Sequence, residues 1–64
     1  MSKLRVGTIT YIDSEKQLGV IVDDNAQDIT FSMEFVNGFV KVDDQVSFEI
    51  TLEDGLKAVN ISIL

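Results

Sequence analysis

The sequence predicts an all-β domain, a small five-stranded antiparallel barrel, and three observations lead to it. Valine, isoleucine, threonine and phenylalanine are frequent among the 64 residues, Pro is absent, and no long window keeps a helical period. Alternating segments are separated by turn-like stretches at roughly the 8–12-residue spacing of all-β folds. The chain is too short for a sandwich of two sheets, whereas a closed barrel removes most exposed strand edges. We therefore expect residues 1–64 to form one domain.

The strands follow from alternation, because neighbouring side chains of a strand point to opposite faces of the sheet. In the second predicted strand Leu18 and Val20 share one face, while Gly19 and Ile21 share the other. We expect Leu18 and Val20 to face solvent. Five strands are predicted in this way, at residues 4–13, 18–22, 28–33, 45–52 and 57–64.

The first and fourth predicted strands differ in the regularity of their alternation. In the first strand the pattern is imperfect, and strict alternation sets Ile9 and Tyr11 on the same face. The fourth strand has the cleanest two-residue period in the chain, with Val46, Phe48 and Ile50 on its inner face.

Turn chemistry separates the predicted strands. Residues 13–17 and 23–27 are turns, and the second is rich in side chains that bond their own backbone. Residues 34–36 fit one short helical turn, and Asn-Gly at 37–38 is a turn dipeptide. Residues 53–55, Glu-Asp-Gly, are predicted to form a hairpin turn.

Composition excludes several classes of site. The chain has no Cys and no His, which rules out disulfides, Cys/His zinc sites and a histidine general base. The acidic run at residues 23–25 lacks the twelve-residue ligand spacing of a calcium loop. We accordingly predict that the chain is not an enzyme and has no catalytic residue, metal or cofactor.

The charge balance weighs against a nucleic-acid partner, since 5 Lys+Arg stand against 11 Asp+Glu, for a formal net charge of -6. The first residues are not followed by an apolar run of signal-peptide length. No segment approaches the roughly 20 apolar residues of a membrane span. We expect a cytoplasmic protein with no membrane partner.

The run at residues 16–21, Lys-Gln-Leu-Gly-Val-Ile, resembles the first ribonucleoprotein motif of bacterial cold-shock domains, Lys-Gly-Phe-Gly-Phe-Ile. Residues 29–33, Ile-Thr-Phe-Ser-Met, resemble the second motif, Val-Phe-Val-His-Phe. Residues 44–50 resemble the family's fourth strand, and residues 58–61 resemble the Ala-x-Asn-Val near its end. The resemblance covers the whole chain. It implies an OB-fold barrel of cold-shock type that binds single-stranded RNA or DNA.

The same resemblance assigns candidate binding residues. Leu18, Val20 and Thr30 stand where the family has phenylalanine, Tyr11 replaces its tryptophan, and Lys16 is kept. Each stacked base is worth about 1–3 kcal/mol, so binding is expected to be weak without these rings. The candidate nucleic-acid-binding residues are Tyr11, Lys16, Leu18, Val20, Thr30, Ser32, Met33 and Phe39.

A protein interface is the competing interpretation of the same residues. Leu18, Val20 and Met33 are expected to form one exposed apolar patch, and such patches commonly bind proteins. This interpretation implies a homodimer or a protein partner, with the OB fold kept and nucleic-acid binding lost. Two interpretations stay open for Phe35 and Phe39, which either plug an open end of the barrel or bind a ligand.

Overall fold

Six β-strands and one short 3-10 turn make up the computed structural model, which describes residues 4–52 and 55–64. The 3-10 turn is Met33–Phe35, one residue earlier than predicted. No helix in the described part of the chain is long and apolar enough to cross a bilayer. The predicted hairpin turn at 53–55 includes residues 53 and 54, which lie outside the described residues. The strands are β1 (Arg5–Asp13), β2 (Leu18–Asp23), β3 (Asp28–Ser32), β4 (Val36–Asn37), β5 (Gln45–Thr51) and β6 (Lys57–Ile63).

Five of these strands close into a barrel, which confirms the predicted fold class. Hydrogen bonds join them in the order β3-β2-β1-β5-β6, and β6 pairs back onto β3 between Phe31 and Ala58. This closing pair is parallel, while the other four neighbouring pairs are antiparallel. A ring of five strands cannot alternate direction all the way round, so at least one parallel pair is required. The two-residue strand β4, which was not predicted, adds to β6.

Side chains from the inner face of each long strand fill the barrel. Val46 and Phe48 of β5 are fully buried, as their alternation predicts, and Ile50 is partly buried where it packs against the core. The barrel therefore has a packed interior rather than a cavity along its axis. The buried apolar residues are Ile9, Ile21, Ile29, Phe31, Val46, Phe48, Ala58 and Ile61.

A β-bulge in β1 changes the face that the second half of this strand presents. Ile9 keeps regular pairing with β2, but the next pair is Tyr11 with Val20, so Thr10 is the extra residue. Strict alternation is therefore wrong for Tyr11, which is 53% exposed on the outer face. Ile12 turns inwards instead and packs against the core.

The turn after β2 is held by the buried carboxylate of Asp23. One carboxylate oxygen accepts hydrogen bonds from the backbone N–H groups of Asn25 and Gln27, at 2.9 and 3.0 Å. The other lies 3.3 Å from a guanidinium nitrogen of Arg5. The Gln27 N–H above all holds the pKa of Asp23 below its usual value, with smaller contributions from Asn25 and Arg5 and against the opposing effect of burial. Within residues 4–52 and 55–64, no group of acidic side chains is placed to hold a metal ion.

Candidate nucleic-acid interface

A row of four side chains crosses the outer face of the barrel from β1 to β6. Strand pairing sets Tyr11 beside Val20 and Val20 beside Thr30. The parallel closure then sets Thr30 beside Lys57. Because directly paired residues project to the same side of a sheet, these four residues, called here the central row, form one continuous strip. With strands ~4.8 Å apart, the strip is about 14 Å long.

A second, shorter row lies next to the central row and contains Asp13, Leu18 and Ser32. Leu18 is 39% exposed, and both Leu18 and Val20 lie on the outer face, as the alternation of β2 predicts. Gly19 and Ile21, which alternate with them along β2, point inwards and are buried. The two rows bring together five of the eight candidate residues, namely Tyr11, Leu18, Val20, Thr30 and Ser32.

Lys16 lies on an exposed turn between β1 and β2 whose shape depends on Asp13. One carboxylate oxygen of Asp13 accepts hydrogen bonds from the backbone N–H groups of Glu15 and Lys16, at 3.1 and 3.2 Å. The other oxygen is 3.5 Å from the Tyr11 hydroxyl, which is a long contact for a hydrogen bond. The turn that contains Lys16 therefore depends on the carboxylate of Asp13, which lies in the second row.

Met33 does not join the exposed face, and this corrects the expected patch of Leu18, Val20 and Met33. Ser32 projects outwards beside Leu18, so the next residue of the extended chain turns inwards. The backbone N–H of Met33 donates to the carbonyl oxygen of Gln17 at 2.8 Å, and its side chain packs against the core. The aliphatic patch therefore reduces to Leu18 and Val20.

Phe39 is 97% exposed on the loop between β4 and β5, so it does not plug the barrel. The far end of this loop is attached to β1. The backbone N–H of Asp43 donates to the Ile9 carbonyl oxygen at 2.7 Å, and the Ile9 N–H donates to the Asp44 carbonyl oxygen at 3.0 Å. The loop that carries Phe39 is therefore anchored immediately before the bulge of β1.

A groove runs between the 3-10 turn and β6, beside the two rows, with a volume of about 670 Å³. Leu18 of the second row and Lys57 of the central row both line it, so the groove is continuous with the exposed face. Phe35 lines it from the 3-10 turn and is 43% exposed, which places this ring at the groove and not inside the barrel end. The polar side chains of the lining are Ser32, Glu34, Thr51 and Lys57.

Comparison with known proteins identifies the fold. No family model matches the chain, and no curated protein sequence matches it. Among solved structures, the chain is similar to the cold-shock domains of Drosophila Unr CSD456, with a TM-score of 0.85 at 24% identity. The match covers 97% of this chain, which spans 27% of the length of the Drosophila chain. This chain has the cold-shock fold.

Lys57 is the residue of the central row that the sequence did not predict. Its neighbour in the central row is Thr30, which belongs to a strand distant in sequence. Only the register of the parallel closure brings the two together, and no local pattern in the sequence encodes that register. Lys57 could have been found by asking which residue of β6 pairs with the candidate residue Thr30 of β3.

The charges around the central row and the second row are mixed. Among the described residues, Lys57 of the central row and Lys16 of the turn after β1 are exposed, whereas Arg5 and Lys41 form ion pairs with carboxylates at 3.3 and 3.2 Å. Repulsion between a phosphate and the nearby carboxylates acts over about 10 Å at 0.1 M salt, and added salt weakens it. The acidic residues in the turn and the groove lining are Asp13, Glu15 and Glu34.

Proposed function

We propose that this chain binds single-stranded RNA or DNA, weakly, on the face formed by the central row and the second row. The observation that carries the proposal is the continuity of the central row, which joins the aromatic Tyr11 to the cation Lys57 through Val20 and Thr30. Sequence-tolerant recognition of single strands combines aromatic stacking with cations that follow the phosphates. The row provides one group of each kind at its two ends.

The expected weakness follows from the composition of this face. Tyr11 is the one aromatic residue of the central row, and Leu18, Val20 and Thr30 present aliphatic or hydroxyl surface instead. If three stacks are missing at roughly 1.5 kcal/mol each, binding loses several kcal/mol. At about 1.4 kcal/mol per factor of ten, the affinity falls roughly a thousandfold below that of a fully aromatic face.

Tyrosine fluorescence provides a direct test, because the chain has a single Tyr and no Trp. Titration with oligothymidine and oligouridine at low salt is expected to quench Tyr11 saturably, since the base stacks on the ring. Resonance shifts of the backbone amides of β1, β2 and β3 should follow the same curve. Titrations that leave both the fluorescence and the amide shifts unchanged would refute the proposal.

A matched pair of charge variants localises the interaction. Lys57→Gln removes the cation of the central row, and it is expected to weaken binding and lower the salt slope by about 0.7, as for one lost phosphate contact. Arg5→Gln makes the same charge change about 20 Å along β1 from Tyr11 and should leave affinity unchanged. Equal effects of the two variants would mean that only net charge matters.

Protein association is the second candidate function for this face. The exposed side chains of Leu18 and Tyr11, together with the half-buried Val20, form an apolar surface on an acidic domain. Met33 is partly buried against the core, which makes this surface smaller than the sequence predicts. Sedimentation of the free protein separates the two candidates, because self-association requires the sedimentation coefficient to rise with concentration.

A further inference from the structure

We propose that the groove between the 3-10 turn and β6 holds one nucleobase of the bound strand and prefers a base with an exocyclic amino group, such as cytosine. The inference rests on the proposed function and extends it. Two residues of the outer face, Leu18 and Lys57, also line the groove. A single-stranded nucleic acid that follows the central row towards Lys57 therefore reaches the mouth of the groove.

The apolar part of the lining fits the face of a base. Phe35 on the 3-10 turn is 43% exposed, Leu18 in the second row is 39% exposed, and both line the groove. The groove has a volume of about 670 Å³, within the roughly 300–1,000 Å³ range of small-molecule sites. Because every base has a π-face, an exposed phenylalanine at this position supplies the stacking group that Leu18, Val20 and Thr30 do not.

The polar part of the lining determines which base is preferred. An ionised Glu34 accepts hydrogen bonds and donates none, so it favours a base that donates an amino group. Carboxylates pair with the N4 amino group of cytosine in this way, whereas thymine and uracil present a carbonyl oxygen at the same position. Lys57 at the same groove attracts a phosphate and offsets the repulsion from Glu34.

The test compares two labelled oligonucleotides of about seven nucleotides, oligodeoxycytidine and oligothymidine, at neutral pH. The wild-type chain is expected to bind oligodeoxycytidine about fivefold more tightly. Phe35→Leu, which keeps an apolar side chain but removes the ring, is expected to weaken binding of both by roughly tenfold. Thermal denaturation of Phe35→Leu verifies that the variant is folded at the temperature of the titration.

Charge variants test the role of Glu34. Glu34→Gln and Glu15→Gln each remove one negative charge near the face, so both are expected to raise overall affinity modestly. Only Glu34→Gln should bring the ratio of the two affinities close to one, because Gln both donates and accepts. An unchanged ratio in Glu34→Gln, or an equal change in Glu15→Gln, would overturn the assignment of the groove.

The outcomes distinguish this inference from the proposed function. If neither oligonucleotide binds and Tyr11 fluorescence is unaffected, the proposed function fails and the groove assignment fails with it. If both oligonucleotides quench Tyr11 but Phe35→Leu changes neither affinity, the outer face binds nucleic acid and the groove does not. Loss of affinity in Phe35→Leu together with loss of the preference in Glu34→Gln supports the groove.

Discussion

The ring of Phe31 occupies the space that a side chain at Gly19 would need. A Cβ atom at residue 19 would lie 2.5 Å from Cε1 of Phe31 and 2.9 Å from the carbonyl oxygen of Tyr11. Gly19 is paired with Phe31 on one side and with Ile12 on the other, so its bare backbone is covered from within the barrel. Leu18 and Val20, two of the outward side chains of β2, therefore flank a position that has no room for a side chain.

The first prediction is that Gly19→Ala lowers the free energy of unfolding by about 1–3 kcal/mol, the usual cost of overpacking a core. The added methyl group forces the ring of Phe31 or the backbone of β1 to move. Urea denaturation measures the change. Thr30→Ala on the outer face is the control and should stay within about 0.5 kcal/mol of the wild type. Equal stability of Gly19→Ala and the wild type would contradict the packing described here.

Local alternation is what made much of this fold predictable. The outward placement of Leu18 and the burial of Val46 and Phe48 both follow from the two-residue period of their own strands. The register shift between β5 and β6 leaves this period intact in β5, because the extra residue lies in β6. Tyr11 departs from its own alternation because the extra residue Thr10 reverses the faces of β1. A bulge depends on how two strands pair, and the alternation along one strand does not show this pairing.

The candidate site was less predictable because it depends on contacts between distant segments. Met33 was expected outside, but the chain bends into a 3-10 turn there and its side chain packs on the core. Lys57 enters the central row only when β6 closes the barrel against β3. The sequence leaves two interpretations open for Phe35, because the groove that it lines forms only when the barrel closes.

The second prediction is that the triple variant Leu18→Phe, Val20→Phe and Thr30→Phe folds and binds oligothymidine several kcal/mol more tightly, at about 1–3 kcal/mol per stacked base. These side chains are on the outer face, so larger ones do not overpack the core. Fluorescence titration measures the gain. Val6→Phe is the matched control, because Val6 is 40% exposed outside the two rows.

Replacing Lys16 in the triple variant tests whether its ammonium group contacts a phosphate. Lys16→Gln in the triple variant should weaken binding and flatten its salt dependence by about one phosphate contact. If the triple variant folds but binds oligothymidine no more tightly than the wild type, the carboxylates of Asp13 and Glu15 repel the oligonucleotide too strongly for stacking to overcome.

The third prediction is that the chain sediments as a monomer and that Val20→Glu weakens oligonucleotide binding without unfolding the barrel. Met33 is partly buried and packs against the core, so Leu18 and Val20 alone form the aliphatic patch. Two side chains are far fewer than the roughly 20 residues a side of a stable interface. A carboxylate in the centre of the row repels the phosphates and removes apolar contact. Val6→Glu controls for the charge alone. A dimer that Val20→Glu dissociates would instead favour the protein-association function.

The fourth prediction concerns stability in acid, which the carboxylates of Asp23 and Asp44 make pH-dependent. The backbone N–H of Gln27 chiefly lowers the pKa of Asp23, and that of Lys41 chiefly lowers the pKa of Asp44. A lowered pKa in the folded state means that the unfolded chain takes up protons first as pH falls. The stability from these carboxylates is therefore fully present above the ordinary Asp pKa of about 3.9 and is lost as pH falls through the lower folded value.

Asp23→Asn tests this linkage, since it removes the titrating group but keeps an oxygen that accepts hydrogen bonds. The variant should be less stable than the wild type at neutral pH, because the amide is a weaker acceptor for the Asn25 and Gln27 N–H groups and does not attract Arg5. The difference should shrink as pH falls below about 3.9 and through the lowered pKa of Asp23, as the wild-type carboxylate becomes protonated. Asp24→Asn, an exposed position in the same turn, is the control and should follow the wild-type curve. Denaturation curves for Asp23→Asn and the wild type that stay parallel through this range would show that the buried carboxylate does not contribute to acid sensitivity.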